Sequence, residues 1–358
     1  MSKLDKLDLF EKLDESKMRD SISALGKQVA HAWEDTKKIT VPEDYKDINK
    51  IVVSGMGGSA LGADVVRNVF RDKLKLPIWI VNDYELPEFV DEKTLVIFSS
   101  YSGTTEEPLN TFDQALKRKA KMMGITTGGR LKEFFEETKL PYYNIDPKFN
   151  PCGQPRMALG YSIIGQLGLL VQAGLIEVTD EEIAGVVSML EGMNEKLNYQ
   201  VETTDNLSKQ LADKLHDKIP AITGSEFLKG NLHACANQIN ENAKQFSYFF
   251  LIPELNHHLM EGLGNPEKGI KSVIFILAES KLYHKSNQIR YDVTKDIITK
   301  NNGEYLEIKL EQPTKLLQSF EFLIIGSYIA YYMSILNDIN PSPIPYVEMF
   351  KEELEKRK

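Results

Sequence analysis

Short apolar runs alternate with helical segments along most of this chain, and this alternation constrains its fold more than any other feature. In the first half, strands are predicted at residues 51–53, 77–81, 94–98, 122–125 and 142–145. Helical patterns at residues 60–71 and 106–119 separate some of them. Strands that alternate with helices in this way form a parallel sheet that is covered on both faces.

The alternation restarts after residues 179–182, where Thr179 and Glu182 have the spacing of a helix capping box. Further strands are predicted at residues 219–223, 273–278 and 305–308, and helices after 224, at 287–300 and at 316–336. The 358 residues fit two domains, since a typical domain takes roughly 150. We therefore predict two α/β halves, residues 1–178 and 179–358.

Two uncharged segments and the N-terminus also need an explanation. Residues 157–175 and 322–336 carry no charge, but the first contains four glycines and the second is too short to span a bilayer. We predict that both are buried helices. The first ~40 residues carry a helical stripe without the apolar core of a signal peptide, so we expect an amphipathic helix and a cytoplasmic protein without a membrane segment.

Composition excludes two classes of protein. The 52 acidic residues outnumber the 43 basic ones, giving a net charge of −9, which argues against a nucleic-acid surface. It still permits an anionic small ligand, because a pocket can be locally positive in an acidic protein. The two cysteines, Cys152 and Cys235, have no metal-type spacing and exclude a disulfide-rich scaffold.

Two loops at predicted strand ends have the composition of a ligand site. Residues 54–59 are rich in glycine and lead into a helix, whose N-terminus favours an anion. Residues 99–105 place five hydroxyl groups around Gly103. Because ligands bind beyond the carboxyl ends of parallel strands, the two loops together predict a phosphate site.

The glycine loop alone also permits a dinucleotide fold. Gly55, Gly57 and Ala60 meet the permissive form of the glycine fingerprint. The acidic residue expected after the second strand would be Asp83, 28 residues beyond Gly55, whereas the usual spacing is about 20. A nicotinamide-dependent dehydrogenase is thus the alternative at this point.

Five separated motifs extend the comparison along the chain. They occupy residues 55–60, 100–107, 155–161, 240–244 and 253–257. Together they resemble the bifunctional phosphoglucose/phosphomannose isomerase family, which is built from sugar isomerase (SIS) domains. The resemblance implies two tandem flavodoxin-like SIS domains, a homodimer and no metal or organic cofactor. It also implies a sugar-phosphate isomerase that interconverts glucose 6-phosphate, mannose 6-phosphate or both with fructose 6-phosphate through an enediol.

The resemblance assigns four catalytic positions. Glu241 matches the base, Arg156 the arginine that faces the enediolate oxygen, and Lys351 a lysine that assists at the sugar ring. His257 matches the ring opener, which relatives contribute to the neighbouring subunit's site. His258 stands where relatives commonly have Asn, so either histidine of the pair remains a candidate. From the residues alone, both Glu241 and Lys351 could instead be solvated side chains on helices.

The resemblance also assigns the substrate-binding positions. Gly57, Gly58 and Ser59 would approach the sugar, whereas Ser100, Ser102 and Thr105 would hold the phosphate. Neutral donors of this kind suit a chain of net negative charge. A non-catalytic sugar-phosphate sensor built on the same domains is the alternative function, and it leaves Glu241 and His257 without a role.

Overall fold

The computed structural model describes residues 2–357 and contains two parallel β-sheets. The first part of the chain comprises α1 (Leu7–Leu13), α2 (Met18–Ser23), α3 (Leu25–Thr36), β1 (Lys50–Gly55), α4 (Gly57–Val69), β2 (Ile78–Val81), β3 (Thr94–Ser99), α5 (Glu106–Lys117), β4 (Lys121–Thr126), α6 (Gly129–Thr138), β5 (Tyr142–Asn144) and α7 (Leu159–Gln172). Its five strands lie in the order β2-β1-β3-β4-β5. This is the flavodoxin-like order, in which ligands bind where the strand order reverses, between β1 and β3.

The second part repeats this arrangement with one strand fewer. It comprises α8 (Asp180–Leu197), α9 (Leu207–Leu215), β6 (Ile219–Ser225), α10 (Lys229–Gln238), β7 (Tyr248–Ile252), α11 (Leu255–His258), α12 (Glu267–Ile270), β8 (Val273–Ser280), α13 (Lys285–Lys300), β9 (Glu304–Leu310), α14 (Lys315–Leu336) and α15 (Pro345–Glu355). The order β7-β6-β8-β9 is that of the first four strands of the other sheet. The predicted pair of α/β halves is therefore confirmed.

Most predicted elements match the structure, and the N-terminus is helical as predicted. Its helix is not continuous but is divided into three short helices, α1, α2 and α3. The carboxylate of Asp14 accepts the backbone N–H groups of Met18 and Arg19 at 2.7 and 3.0 Å, which starts α2 afresh. Lys17 also has a left-handed φ of 59°, which a continuous helix does not allow.

Strand β7 was not predicted. Its five residues, Tyr248–Ile252, are all apolar or aromatic and follow directly on the polar 240–244 motif. In the structure they form the edge of the second sheet, and four of the five are only partly buried.

The two uncharged stretches are buried helices, as predicted. Residues 159–172 form α7, and residues 322–336 belong to α14. By length and composition α14 could cross a membrane, but its most apolar window is completely buried inside the protein.

The two halves pack through α4 and α10, and the N-terminal helices reach across to α14. Tyr331 of α14 donates to Asp14 at 3.0 Å, and Lys3 donates to the carbonyl of Leu336 at 2.8 Å. Because contacts of this kind link the first residues to the second half, the division at residues 178 and 179 stays a prediction.

Gly230 allows the close approach of α10 to α4, and we expect its replacement by alanine to loosen the molecule. A Cβ at Gly230 would lie 2.4 Å from the backbone nitrogen of Val65, so the helices would have to separate. We expect Gly230→Ala to lower the free energy of unfolding by about 1–3 kcal/mol, the usual cost of overpacking. Urea denaturation followed by circular dichroism would measure it.

Gly185→Ala is the matched control. Gly185 lies within α8, and a Cβ there would meet nothing within 4 Å. This variant should be stabilised by about 0.5–1 kcal/mol, because alanine is the better helix former. Equal effects of the two substitutions would contradict the proposed close packing of α4 and α10.

Candidate active site

Arg156 lies at the centre of the site and is buried, with 1% of its surface exposed. It sits in a short 3₁₀ turn, Pro155–Met157, that leads into α7. A buried guanidinium is costly unless its N–H groups find acceptors, and it has five of them. All five are engaged: Nε with Asn242 Oδ1 (2.5 Å), Nη1 with Gln154 Oε1 (2.8 Å) and Glu241 Oε2 (3.2 Å), and Nη2 with the carbonyls of Pro341 (3.0 Å) and Ser342 (2.8 Å).

Glu241 and Asn242 reach Arg156 from an irregular end of α10. Residues 239–243 form a π turn, a rare backbone feature that often occurs at functional sites. The neighbouring Asn240 points elsewhere and bonds to the backbone of Ala236 and Ser247. The solvated helix position that the residues alone allow for Glu241 is thus excluded, because its carboxylate pairs with Arg156.

Desolvation shifts the pKa values of two groups beside Arg156. Desolvation raises the pKa of Glu241, although the charges of Arg156 and Lys244 oppose the shift. Desolvation also lowers the pKa of Lys244 to about 8, helped by repulsion from Arg156. A partly exposed carboxylate (32% of its side chain) with a raised pKa is suited to accept and return a proton.

Lys244 fastens the C-terminal segment over the site. Its Nζ donates to the carbonyls of Asn340 and Pro341, each at 3.0 Å. Pro341 therefore accepts from Lys244 and from Arg156 at the same oxygen. Residues 340–342 form a strap held by two cations beside Glu241.

The glycine loop lies against the backbone of Arg156. A Cβ at Gly58 would be 3.1 Å from the nitrogen of Arg156, so a larger residue would displace one of the two segments. Gly57 starts α4 with a positive φ of 48°, which favours glycine. Ser59 Oγ accepts the backbone N–H of Tyr101 at 2.9 Å, which ties this loop to the hydroxyl loop.

The hydroxyl loop forms a compact turn before α5. Ser100 and Thr105 share a hydrogen bond of 2.9 Å between their hydroxyls, and Ser102 shares one of 3.0 Å with Thr104. Gly103 has a φ of 69°, and a Cβ there would lie 1.8 Å from the carbonyl oxygen of Gly128. Thr105 precedes the first turn of α5, and its side chain makes no capping hydrogen bond to that turn.

Among residues 2–357, neither His257 nor Lys351 makes a hydrogen bond or an ion pair with Arg156. His257 belongs to α11 and is exposed, and among residues 2–357 its ring makes no hydrogen bond to Arg156 or Glu241. The neighbouring His258 packs on the ring of Phe250 at 5.9 Å. Lys351 lies in α15, a helix without a buried residue. The roles of His257 and Lys351 stay predictions.

Two other contacts of Arg156 were not predicted. Gln154 binds its guanidinium, and Gln238 donates to its backbone carbonyl at 2.9 Å while accepting from Ser327 at 3.0 Å. Gln154 directly precedes the 155–161 motif, which is the only sequence signal for it. Gln238 carries no signal, because its partners are distant in the chain.

The described part of the chain also contains a cavity that lies outside this site. A cavity of about 620 Å³ at the carboxyl ends of β8 and β9 contains none of the predicted site residues. Among residues 2–357, no group of three or more His, Cys, Asp or Glu side chains is arranged to hold a metal ion.

Sequence comparison identifies relatives over nearly the whole chain. The family model described as "Bacterial phospho-glucose isomerase C-terminal SIS domain" matches residues 204–354. A bifunctional phosphoglucose/phosphomannose isomerase of Caldicellulosiruptor bescii is 37% identical over 94% of this chain and 98% of its own length. A protein of the same name from Aquifex aeolicus is 31% identical over 90% of this chain and 94% of its own.

Solved structures with low sequence identity share the fold. A hypothetical protein of Thermus thermophilus superposes with a TM-score of 0.75 at 16% identity, covering 98% of this chain and 93% of that one. A glucose-6-phosphate isomerase-like protein of the same organism gives a TM-score of 0.63 at 15% identity, covering 96% and 99%.

Proposed function

The chain belongs to the bifunctional phosphoglucose/phosphomannose isomerase family, and on that premise we propose that it interconverts glucose 6-phosphate, mannose 6-phosphate or both with fructose 6-phosphate. The observation that carries the proposal is the pairing of Glu241 with Arg156 at 3.2 Å. A carboxylate of raised pKa beside a buried cation is what a proton transfer through an enediol requires. We propose a cytoplasmic location for this isomerase.

In this reaction Glu241 takes the proton from C2 of the open-chain aldose; the electrons of that C–H bond form the C1–C2 double bond and leave negative charge on the oxygen of C1. A proton then passes from the hydroxyl on C2 to the oxygen on C1 by way of the enediol. The carboxyl group of Glu241 returns its proton to C1, and the oxygen on C2 becomes the carbonyl of the ketose. Arg156 stabilises the negative charge that develops on the oxygens during both steps. The fold holds Asn242, Pro341 and Ser342, which accept from Nε and Nη2 of Arg156. Nη1 is therefore the nitrogen from which a substrate oxygen can accept a hydrogen bond.

The two loops supply neutral donors for the substrate. Ser100, Ser102 and Thr105 would hold the phosphate at the start of α5, where the N–H groups of the first turn favour an anion. Gly57, Gly58 and Ser59 would let the sugar pass close to the backbone beside Arg156. The bond between Ser59 and Tyr101 supports this arrangement, because it keeps both loops at one end of the sheet.

We propose that the active form is a homodimer in which His257 opens the sugar ring in the partner's site. Two observations support this. His257 is exposed on α11, which packs beside the edge strand β7, and among residues 2–357 it makes no hydrogen bond or ion pair with Glu241. The helix α15, which carries Lys351, exposes 80% of Tyr346 and 61% of Phe350, as expected of a helix that packs on another chain.

Replacing Glu241 tests the proposed reaction. We expect Glu241→Gln to lower kcat by about 10²–10⁴, the usual contribution of a general base, while fructose 6-phosphate still binds. A coupled assay supplied with fructose 6-phosphate should detect glucose 6-phosphate and mannose 6-phosphate separately. Glu195→Gln, the same change at an exposed position of α8, is the control.

Near-normal turnover by Glu241→Gln would rule out this carboxylate as the base. Binding of fructose 6-phosphate by the wild-type protein without formation of either product would favour the non-catalytic sensor.

Removing the charge of Lys244 should shift the acid limb of the pH profile. Glu241 must be ionised to act as a base, so kcat/KM falls as the pH drops through its pKa. The positive charge of Lys244 lowers that pKa, so Lys244→Met should raise it and move the acid limb to higher pH. The measurement is kcat/KM against pH, with Lys268→Met, an exposed lysine of α12, as the control. An acid limb shared by all three proteins would contradict the expected coupling.

Mixing two inactive variants tests the shared site. Glu241→Gln and His257→Ala dimers should each have low activity. After subunit exchange at equal concentrations, half of the dimers are mixed and each contains one intact site, so about a quarter of wild-type activity should return. His258→Ala is the matched control and should remain active alone. Exchange proven by mass spectrometry without any recovery would contradict the proposal.

A further inference from the structure

In the carboxamide of Gln154, the oxygen has a hydrogen-bond partner among the described residues and the NH2 group has none. Its Oε1 accepts from Arg156 Nη1 at 2.8 Å. A guanidinium only donates hydrogen bonds, so the amide oxygen must face Arg156 and the NH2 group must point away from Nη1. Among residues 2–357, Nε2 of this partly buried side chain makes no hydrogen bond.

The backbone of Gln154 is anchored to the hydroxyl loop. Its carbonyl accepts from Asn150 Nδ2 at 3.1 Å and from the N–H of Met157 at 3.0 Å. The same amide group of Asn150 donates to the hydroxyl of Tyr101 at 2.9 Å. Gln154 therefore has a fixed position relative to both the loop predicted to hold the phosphate and the guanidinium.

Gln154 and Glu241 flank the same nitrogen of Arg156. Because Nη1 lies 2.8 Å from Gln154 Oε1 and 3.2 Å from Glu241 Oε2, the two oxygens are at most about 6 Å apart. Both side chains are partly exposed, whereas Asn242 on the other side of the guanidinium is buried. A sugar that presents C1 and C2 to Glu241 thus brings its oxygens alongside the amide of Gln154.

We propose that Gln154 is a further substrate-contacting residue, whose NH2 group donates a hydrogen bond to an oxygen at the reacting end of the sugar. The inference rests on the proposed isomerase function and names a contact within that site. An NH2 group serves a carbonyl oxygen and a hydroxyl oxygen equally well, and these two exchange places between aldose and ketose. The bond strengthens as negative charge develops, since hydrogen bonds to charged acceptors are stronger.

A crystal structure with 5-phospho-D-arabinonate tests the contact directly. The carboxylate of this ligand carries two oxygens in one plane, as the enediolate does. We expect Gln154 Nε2 within about 2.7–3.2 Å of a ligand oxygen, the normal range of a hydrogen bond. A ligand carboxylate seated at Glu241 with every oxygen more than about 4 Å from Nε2 would overturn the inference.

Variants of Gln154 test the contribution of this contact in solution. Gln154→Met should weaken 5-phospho-D-arabinonate binding about tenfold, the usual effect of losing a hydrogen bond to a charged group. Inhibition by inorganic phosphate should stay within about twofold, because phosphate lacks the reacting end. Gln200→Met, an exposed glutamine next to α8, is the control for the substitution and should bind normally.

Gln154→Glu separates substrate contact from the positioning of Arg156. A carboxylate still accepts from Nη1 but cannot donate to the sugar, so the inference expects a loss of affinity as in Gln154→Met. Wild-type affinity in Gln154→Glu, with thermal stability unchanged, would leave Gln154 with a positioning role only and overturn the inference. A wild-type protein that neither binds the ligand nor turns over fructose 6-phosphate would instead refute the proposed function.

Discussion

The buried charge of Arg156 is the constraint on which the site depends. An ion of this size costs several kcal/mol to remove from water unless every donor finds an acceptor. Its acceptors come from the neighbouring residue 154 and from two segments distant in the chain, residues 241–242 and residues 341–342. The guanidinium therefore joins the first half, the π turn after α10 and the C-terminal strap, and the carboxylate of Glu241 is positioned as one of its five partners.

The site also explains how an acidic chain can accommodate an anionic substrate. The loops at the ends of β1 and β3 provide hydroxyl groups, glycines and helix N-termini, while the buried Arg156 supplies positive charge with Lys244 beside it. Desolvation lowers the pKa of Lys244 and raises that of Glu241, so both pKa values are shifted toward neutral pH relative to the same groups in water. A net charge of −9 for the whole chain is compatible with this arrangement.

The sequence predicted the features that depend on local pattern. Eight of the strands, the two buried helices, the two loops and the family motif around Glu241 follow from periodicity, turn residues or resemblance. Three features were not predicted: the new helix start at Asp14, the π turn, and the contacts of Gln238, whose partners are distant in the chain. Strand β7 was not predicted although its residues are strongly apolar. The polar motif before it indicated a catalytic site and gave no sign of a neighbouring strand. The roles of His257 and Lys351 stay predictions.

The strap at residues 340–342 has a consequence for the order in which the molecule is completed. Arg156 is synthesised 185 residues before Pro341, the first of its two carbonyl acceptors in the strap. Both sheets, β1–β5 and β6–β9, end before that point, so a growing chain can contain every strand while its central arginine still lacks two of its five acceptors. The site can therefore be completed only after the strap has been synthesised.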